Sequence, residues 1–205
     1  MSFYSRRIFP WLNDKLTNDP ELLRLRTEVL ADARGRVIEI GFGSGANISH
    51  YQPSVRSVVG IEPNDGMLDR ARLRVSTAPM PVRLVIGDAE RMPFADCIFD
   101  TAVSTLTLCT VADPGRTLAE LHRVLRDDGR LMVIEHGLSN DEGVARWQRR
   151  LNGVQNVVAC GCHLIRPIPD LIKNQHFTTD RLKSFYVPKF PRTHGWLTTG
   201  SASKL

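Results

Sequence analysis

No apolar run in this sequence approaches the roughly 20 residues that cross a bilayer as a helix. No leader pattern of a basic stretch followed by an apolar core opens it either. Cysteine is scarce: Cys97, Cys109, Cys160 and Cys162 are too few and too irregularly spaced for a disulfide framework. A reducing cytoplasm is therefore the expected compartment. Charge of one sign is not concentrated. Lys and Arg number 27 against 22 Asp and Glu, and the net +5 is spread along the chain. That is not the footprint of a nucleic-acid binder, and no nucleic-acid partner is expected. Repeats and low-complexity segments are absent as well. What remains is 205 residues, 42% of them hydrophobic, enough for one compact domain with a full core.

The stretch around which this chain is organised is Val37-Ile38-Glu39-Ile40-Gly41-Phe42-Gly43-Ser44-Gly45-Ala46-Asn47. It reads as a buried strand entering a tight glycine loop and then a helix start. Alternating glycines allow positive φ and let a ligand lie almost on the main chain. Free N–H groups at a helix start would suit an anionic group. The loop alone leaves the ligand open, because Gly41-x-Gly43-x-x-Ala46 with Glu62 further on also satisfies the dinucleotide fingerprint. Glu39, just before the first glycine, favours a ligand with a positive end as well as a negative one. An amino acid has both; a pyrophosphate does not.

The rest of the chain alternates strand and helix. Residues 20–34 carry apolar positions at helical spacing, and residues 57–62 and 82–88 read as strands ending in Glu62 and Asp88. Residues 67–75 form a helix behind the turn Pro63-Asn64-Asp65. Residues 99–104 make a fourth strand, residues 117–125 an amphipathic helix stopped at Asp128-Gly129, and residues 130–136 a fifth strand. Residues 141–176 look like a helical insert before two strands near 181–187 and 193–203. The expected fold is α/β: a Rossmann-like, doubly wound, mostly parallel seven-stranded sheet with a reversed C-terminal edge strand. The expected organisation is a single domain, with an N-terminal arm or lid (1–18), a cofactor-binding core (19–137) and an acceptor side (138–205). The arm mixes aromatic and basic residues, consistent with a lid, a docked terminal helix or a weak membrane-surface contact.

The ordered set Glu39-x-Gly41-x-Gly43-x-Gly45, Glu62, Asp88-Ala89-Glu90, Phe99-Asp100 and Leu125-Arg126-Asp127-Asp128-Gly129 resembles the class I S-adenosylmethionine-dependent methyltransferases. More narrowly, three stretches are similar to the thiol S-methyltransferase group. These are Gly43-Ser44-Gly45-Ala46-Asn47 with Tyr51, the run from Ser104 through Val111, and Glu135-His136. The tail adds Gly161-Cys162-His163-Leu164-x-Arg166 and Gly200-x-Ala202-x-Lys204. Quinone-ring and phospholipid methyltransferases share the core motifs. The resemblance implies S-adenosylmethionine as cofactor, S-adenosylhomocysteine as product and a small-molecule acceptor, with a thiol favoured.

It also implies roles. Gly41, Phe42 and Gly43 would border the methionine part of the cofactor, with Glu39 drawing its ammonium through a hydrogen-bond network. Glu62 would hold the ribose hydroxyls. Pro63 and Met67 would pack on the adenine, Asp88 and the Ala89 N–H would bond its edge, and Ser104 and Thr105 would line the sulfonium. Tyr4 on the arm, with Cys162 and His163, would meet the acceptor.

A methyl on sulfonium is already activated, so alignment and water exclusion carry most of the catalysis. His136 is the candidate base for an acceptor that needs one. Cys160-Gly161-Cys162-His163 looks like metal ligands, but no second half of a zinc site follows in sequence, and no metal is expected. Ser203-Lys204-Leu205 spells a peroxisomal address and overlaps the family's final strand, so it is read as coincidence. The rival from another class is a nicotinamide-dependent oxidoreductase; no substrate domain follows the core to support it.

Overall fold

The computed structural model describes Tyr4, Trp11 and residues 19–205. The remainder of the expected N-terminal arm lies outside the described residues. Helix α1 (Pro20–Leu30) starts where expected: the Asp19 carboxylate accepts from the Glu21 N–H at 2.9 Å, with Pro20 in the first turn. It turns Leu22, Leu25, Arg26 and Leu30 inward.

Seven strands follow: β1 (Gly35–Ile40), β2 (Val55–Ile61), β3 (Val82–Val85), β4 (Phe99–Thr105), β5 (Leu125–His136), β6 (Leu182–Tyr186) and β7 (Trp196–Ser203). They form one sheet in the order β3-β2-β1-β4-β5-β7-β6. The pairs through β5 are parallel, and β7 is antiparallel to both β5 and β6. The expected C-terminal reversal is thus β7, which slots between β5 and the outermost strand β6.

Alternation along the strands supplies two cores. Ile38, Ile40, Ala102, Leu131 and Val133 face one side, under α3 (Pro114–Val124). Val37, Val58, Val103 and Met132 face the other, with Leu30 of α1 and Ala71 of α2 (Asp65–Ser76). Burial on both faces is what a doubly wound sheet requires. Asn64 caps α2 through the Gly66 N–H at 3.0 Å, as the turn before it predicts.

Local structure departs from the sequence reading at three places. No α-helix follows the glycine loop; β1 and β2 are joined by a loop whose only regular piece is one 3-10 turn at Ile48–His50. The run after the glycines, Ala46-Asn47-Ile48-Ser49-His50-Tyr51-Gln52-Pro53, has few strong helix formers and ends in proline. β3 stops at Val85, leaving the exposed Ile86 and Asp88 in a loop. β5 starts early, pairing Leu125 with Phe99 and then bulging through residues 126–129 before Arg130 joins Thr101.

Asp100 has the structural part expected at a strand start: it accepts from the Arg36 N–H and from Arg126, both at 2.7 Å. The insert resolves into α4 (Glu142–Val158) and the short α5 (Ile168–Lys173). α4 buries Ala145 and Gln148 but exposes Trp147, Val154, Val157 and Val158. No helix among the described residues is long and apolar enough to cross a membrane.

Candidate functional site

β1 is flanked by β2 on one side and β4 on the other, and the chain order reverses between β1 and β4. In such sheets a ligand crevice opens beyond the carboxyl ends of the strands at that reversal. The glycine loop closes one wall of it. Gly41 has φ +59°, and a Cβ there would lie 2.1 Å from Thr107 Oγ1, so only glycine fits. Gly43, also at positive φ, has nothing nearer than 3.7 Å on the side a Cβ would occupy, and Met67 Cε lies beyond it at 3.8 Å. A Cβ at Gly43 would make only ordinary van der Waals contacts, so it is the positive φ and not crowding that favours glycine there. The Phe42 side chain does not border a ligand: its ring is buried with Val58 and Val103 in the core behind the loop. Alternation along the chain sends its side chain inward when its neighbours' backbone turns outward.

Glu62 directly follows β2, beneath this loop. Its Oε2 accepts from the Gly43 N–H at 3.0 Å and its Oε1 from the Asn64 N–H at 2.9 Å. Each oxygen has further lone-pair capacity, so the carboxylate can hold two hydroxyls while still fixing the loop. Burial raises its pKa, opposed by those two backbone bonds. Met67 is buried beside Gly43, Pro63 is exposed at the rim, and Ala89 is buried. Asp88 is exposed, and its Oδ1 accepts from the Glu90 N–H at 2.9 Å.

Glu39 is 2% exposed and lies in a closed network. It accepts from Tyr51 Oη at 2.6 Å and Asn47 Nδ2 at 2.9 Å; Asn47 Nδ2 also reaches Thr105 Oγ1 at 3.1 Å. The buried Arg26 donates to Asn47 Oδ1, and its own Nε has no partner among the described residues. Arg26 does not stand out in the sequence, and Asn47 appears there only as the end of the glycine-loop motif, because tertiary contact is what links both to Glu39.

Burial pushes the Glu39 carboxyl up to about 7, against hydrogen bonds from Tyr51 and Asn47 and the charge of Arg26. Between the unfolded value near 4.5 and that folded value, the folded chain binds more protons, so stability falls as pH rises through this window. The ionised carboxylate costs roughly 3 kcal/mol above pH 7. Glu39→Gln is therefore expected to gain on the wild-type chain, in ligand-free melting temperature, as pH goes from 5 to 8. A difference independent of pH would overturn this account. A ligand ammonium nearby would offset the same cost.

The second wall is the loop after β4, and it is clamped from two sides. Glu135, fully buried on β5, accepts at Oε1 from Ser104 Oγ (2.7 Å) and from the N–H groups of Thr107 (2.8 Å) and Leu108 (2.9 Å). Its Oε2 accepts from the Cys109 N–H at 3.3 Å. From the far side, the buried Arg166 donates to the carbonyls of Leu108 and Val111. Leu106 is held at φ +53°, a conformation that costs a bulky residue strain and persists only where its surroundings enforce it. Ser104 is thus fully buried and turned toward Glu135. Thr105, by contrast, is partly exposed and bonded to Asn47. Glu135 and Arg166 sit inside motifs visible in the sequence, but their tasks as loop clamps do not show there.

Beyond the loop, His136 Nε2 lies 2.8 Å from Cys162 Sγ, and Cys162 Sγ lies 3.8 Å from Cys109 Sγ. His136 Nδ1 is buried with no partner among the described residues. The contact with Cys109 and burial push the Cys162 thiol well above its ordinary range. Burial favours the neutral His136 ring, but its contacts with Cys162 and the charge of Glu135 outweigh that and raise its pKa. His163 does not join this group. Its ring faces Asn152 and Asn156 of α4 at 3.2 and 3.0 Å, because Gly161 (φ +104°) turns the chain between Cys160 and Cys162. Tyr4 Oη donates to the Val158 carbonyl at 2.8 Å, at the end of α4.

A family model described as a methyltransferase domain matches residues 38–133. A phosphatidylethanolamine N-methyltransferase from Cereibacter sphaeroides is 32% identical over 154 residues, covering 74% of this chain and 74% of its own. The thiol S-methyltransferase TMT1B of Rattus norvegicus is 31% identical over 175 residues, 80% of this chain and 66% of its own. Among solved structures, the geranyl diphosphate C-methyltransferase of Streptomyces coelicolor, in complex with Mg2+, geranyl diphosphate and S-adenosylhomocysteine, shares the fold. Its TM-score is 0.71 at 13% identity, over 94% of this chain and 86% of that one.

Proposed function

The chain belongs to the S-adenosylmethionine-dependent methyltransferases, and from that premise we propose that its acceptor is a small-molecule thiol, methylated on sulfur. Under this reading Glu62 holds the ribose hydroxyls, and Met67 and Pro63 flank the adenine. Asp88 and the Ala89 N–H meet the adenine edge. The loop at Gly41 and Gly43 takes the methionine part, whose ammonium the Glu39 network draws in. Thr105 then lies beside the sulfonium. The cofactor brings an activated methyl group; the chain's own residues align it and exclude water.

One observation carries the choice of acceptor. His136, the candidate base, has its Nε2 against the Cys162 thiol at 2.8 Å and its Nδ1 buried, and the Glu135 carboxylate beside it is already engaged by Ser104 and three backbone N–H groups, so neither offers an exposed basic atom to an incoming acceptor. A hydroxyl or carbon acid needs such a base. A thiol with pKa near ~8.5 supplies thiolate without one. The 31% identity to a thiol S-methyltransferase supports the same choice. A phospholipid amine is the second reading, favoured by the relative named for phosphatidylethanolamine and by the exposed apolar residues of α4.

Methyl transfer from labelled S-adenosylmethionine to a panel of small thiols, hydroxylated aromatics and phosphatidylethanolamine vesicles decides between them. Thiol turnover alone is the expected result. Turnover on vesicles or aromatics without thiols would discard the thiol reading and leave the fold and cofactor untouched.

A further inference from the structure

We propose that Cys109, His136 and Cys162 form a three-ligand site for a thiophilic divalent cation, zinc in the first instance, whose fourth position receives the acceptor thiol. The substrate half of this statement rests on the thiol reading above; the metal half stands without it.

The sequence shows a Cys-x-Cys-His run and no second half, and the structure explains why. Gly161 splits the run, sending His163 to α4 and Cys162 to the end of the sheet. There Cys162 meets one residue from the loop after β4 and one from the end of β5. The three ligand atoms lie within 4.8 Å of one another. Two sulfurs bound to one tetrahedral zinc at about 2.3 Å stand about 3.8 Å apart. Cys109 Sγ and Cys162 Sγ stand 3.8 Å apart. The His136 ring, at 2.8 Å from Cys162 Sγ, needs to withdraw by about 0.7 Å to reach a ligand position.

The surroundings fit an ion as well. The Cys109 N–H donates to the Glu135 carboxylate and its carbonyl accepts from the His163 N–H, so the backbone that carries the sulfur is fixed on both sides. Two thiols and an imidazole buried together have no protein cation bonded to them among the described residues. Loss of both thiol protons to solvent on metal binding gives two thiolates, an imidazole and a dication, a neutral set suited to burial. Three protein ligands leave the fourth position of a tetrahedral ion to a molecule from outside the chain, the pattern of catalytic rather than structural zinc.

The chemistry closes. An acceptor R–SH binds the open position as thiolate and releases its proton to water. The thiolate sulfur forms a bond to the methyl carbon as the carbon–sulfonium bond breaks. Neutral thioether and neutral S-adenosylhomocysteine leave. No base in the protein is required, consistent with Glu135 being engaged.

The test is titration of the reduced full chain with Co2+ alone under anaerobic conditions, followed by Zn2+ displacement. One equivalent with thiolate-to-cobalt charge-transfer absorption is expected. Cys109→Ser and Cys162→Ser should each weaken binding by roughly 100-fold or more, while S-adenosylhomocysteine binding, measured on the same samples, reports that they fold. Cys160→Ser should titrate like the wild-type chain. Absence of charge-transfer absorption in the wild-type chain, or its loss in Cys160→Ser, would overturn the site. Thiol turnover is then compared before and after chelation. Metal binding without thiol turnover upholds the site and removes the acceptor reading; thiol turnover by a chain that binds no metal does the reverse.

Discussion

Glu62→Ala is expected to weaken binding of S-adenosylhomocysteine by roughly 2–4 kcal/mol, about a thirtyfold to thousandfold rise in Kd by calorimetry. The size follows from two losses on one side chain. The ribose hydroxyls lose a bidentate acceptor, and the Gly43 and Asn64 N–H groups lose the carboxylate that fixes the loop over the cofactor. Glu62→Gln separates them. Its single remaining acceptor oxygen restores part of the loop anchoring and only one of the hydroxyl contacts, so its affinity should fall between wild type and alanine. Unchanged affinity in Glu62→Ala would move the ribose elsewhere in the crevice.

The second large effect concerns stability. Glu135→Ala leaves the Ser104 hydroxyl and the Thr107, Leu108 and Cys109 N–H groups without their acceptor in a fully buried place. A loss of roughly 3–5 kcal/mol is expected, which for a chain of this size lowers Tm by about 10 °C or more. Arg166 would pull the loop's carbonyls with nothing holding its N–H groups, and Leu106 would relax from its left-handed conformation. Thermal and urea unfolding of the variant measure the cost. A Tm within about 2 °C of wild type would show that water or a rearranged loop replaces the carboxylate.

Much of this was legible before any coordinates. The glycine loop, Glu39 and Glu62 announce themselves because strand periodicity, turn chemistry and an acid at or just after a strand end coincide within a few residues. The alternation of strand and helix, with a C-terminal reversal, is legible for the same reason: each element is a local pattern. What escaped is what lies far apart in the chain. The bonds from Glu135 to the loop span 26 to 31 residues, and that from Arg26 to Asn47 spans 21. The three-residue sulfur and imidazole cluster joins segments as much as 53 residues apart. Direction is not legible either: Phe42 and Ser104 sit in the motifs, but Phe42 packs in the core behind the loop and Ser104 bonds Glu135. The missing helix after the glycine loop was a local error, where a fold-level expectation overrode a run of weak helix formers.

The placement of β7 between β5 and β6 has a consequence for the order in which the molecule is made. β6 leaves the ribosome before β7 but bonds only to it, and β5 likewise awaits β7 along one edge. Until residues 196–203 emerge, both strands present unpaired backbone, the condition that invites pairing with other chains. The crevice at β1 and β4 is assembled from earlier segments, and its walls can close first. A folding chain can therefore close its cofactor-binding half while the other flank of the sheet is still open, and that flank stays adhesive until residues 196–203 pair with both β5 and β6.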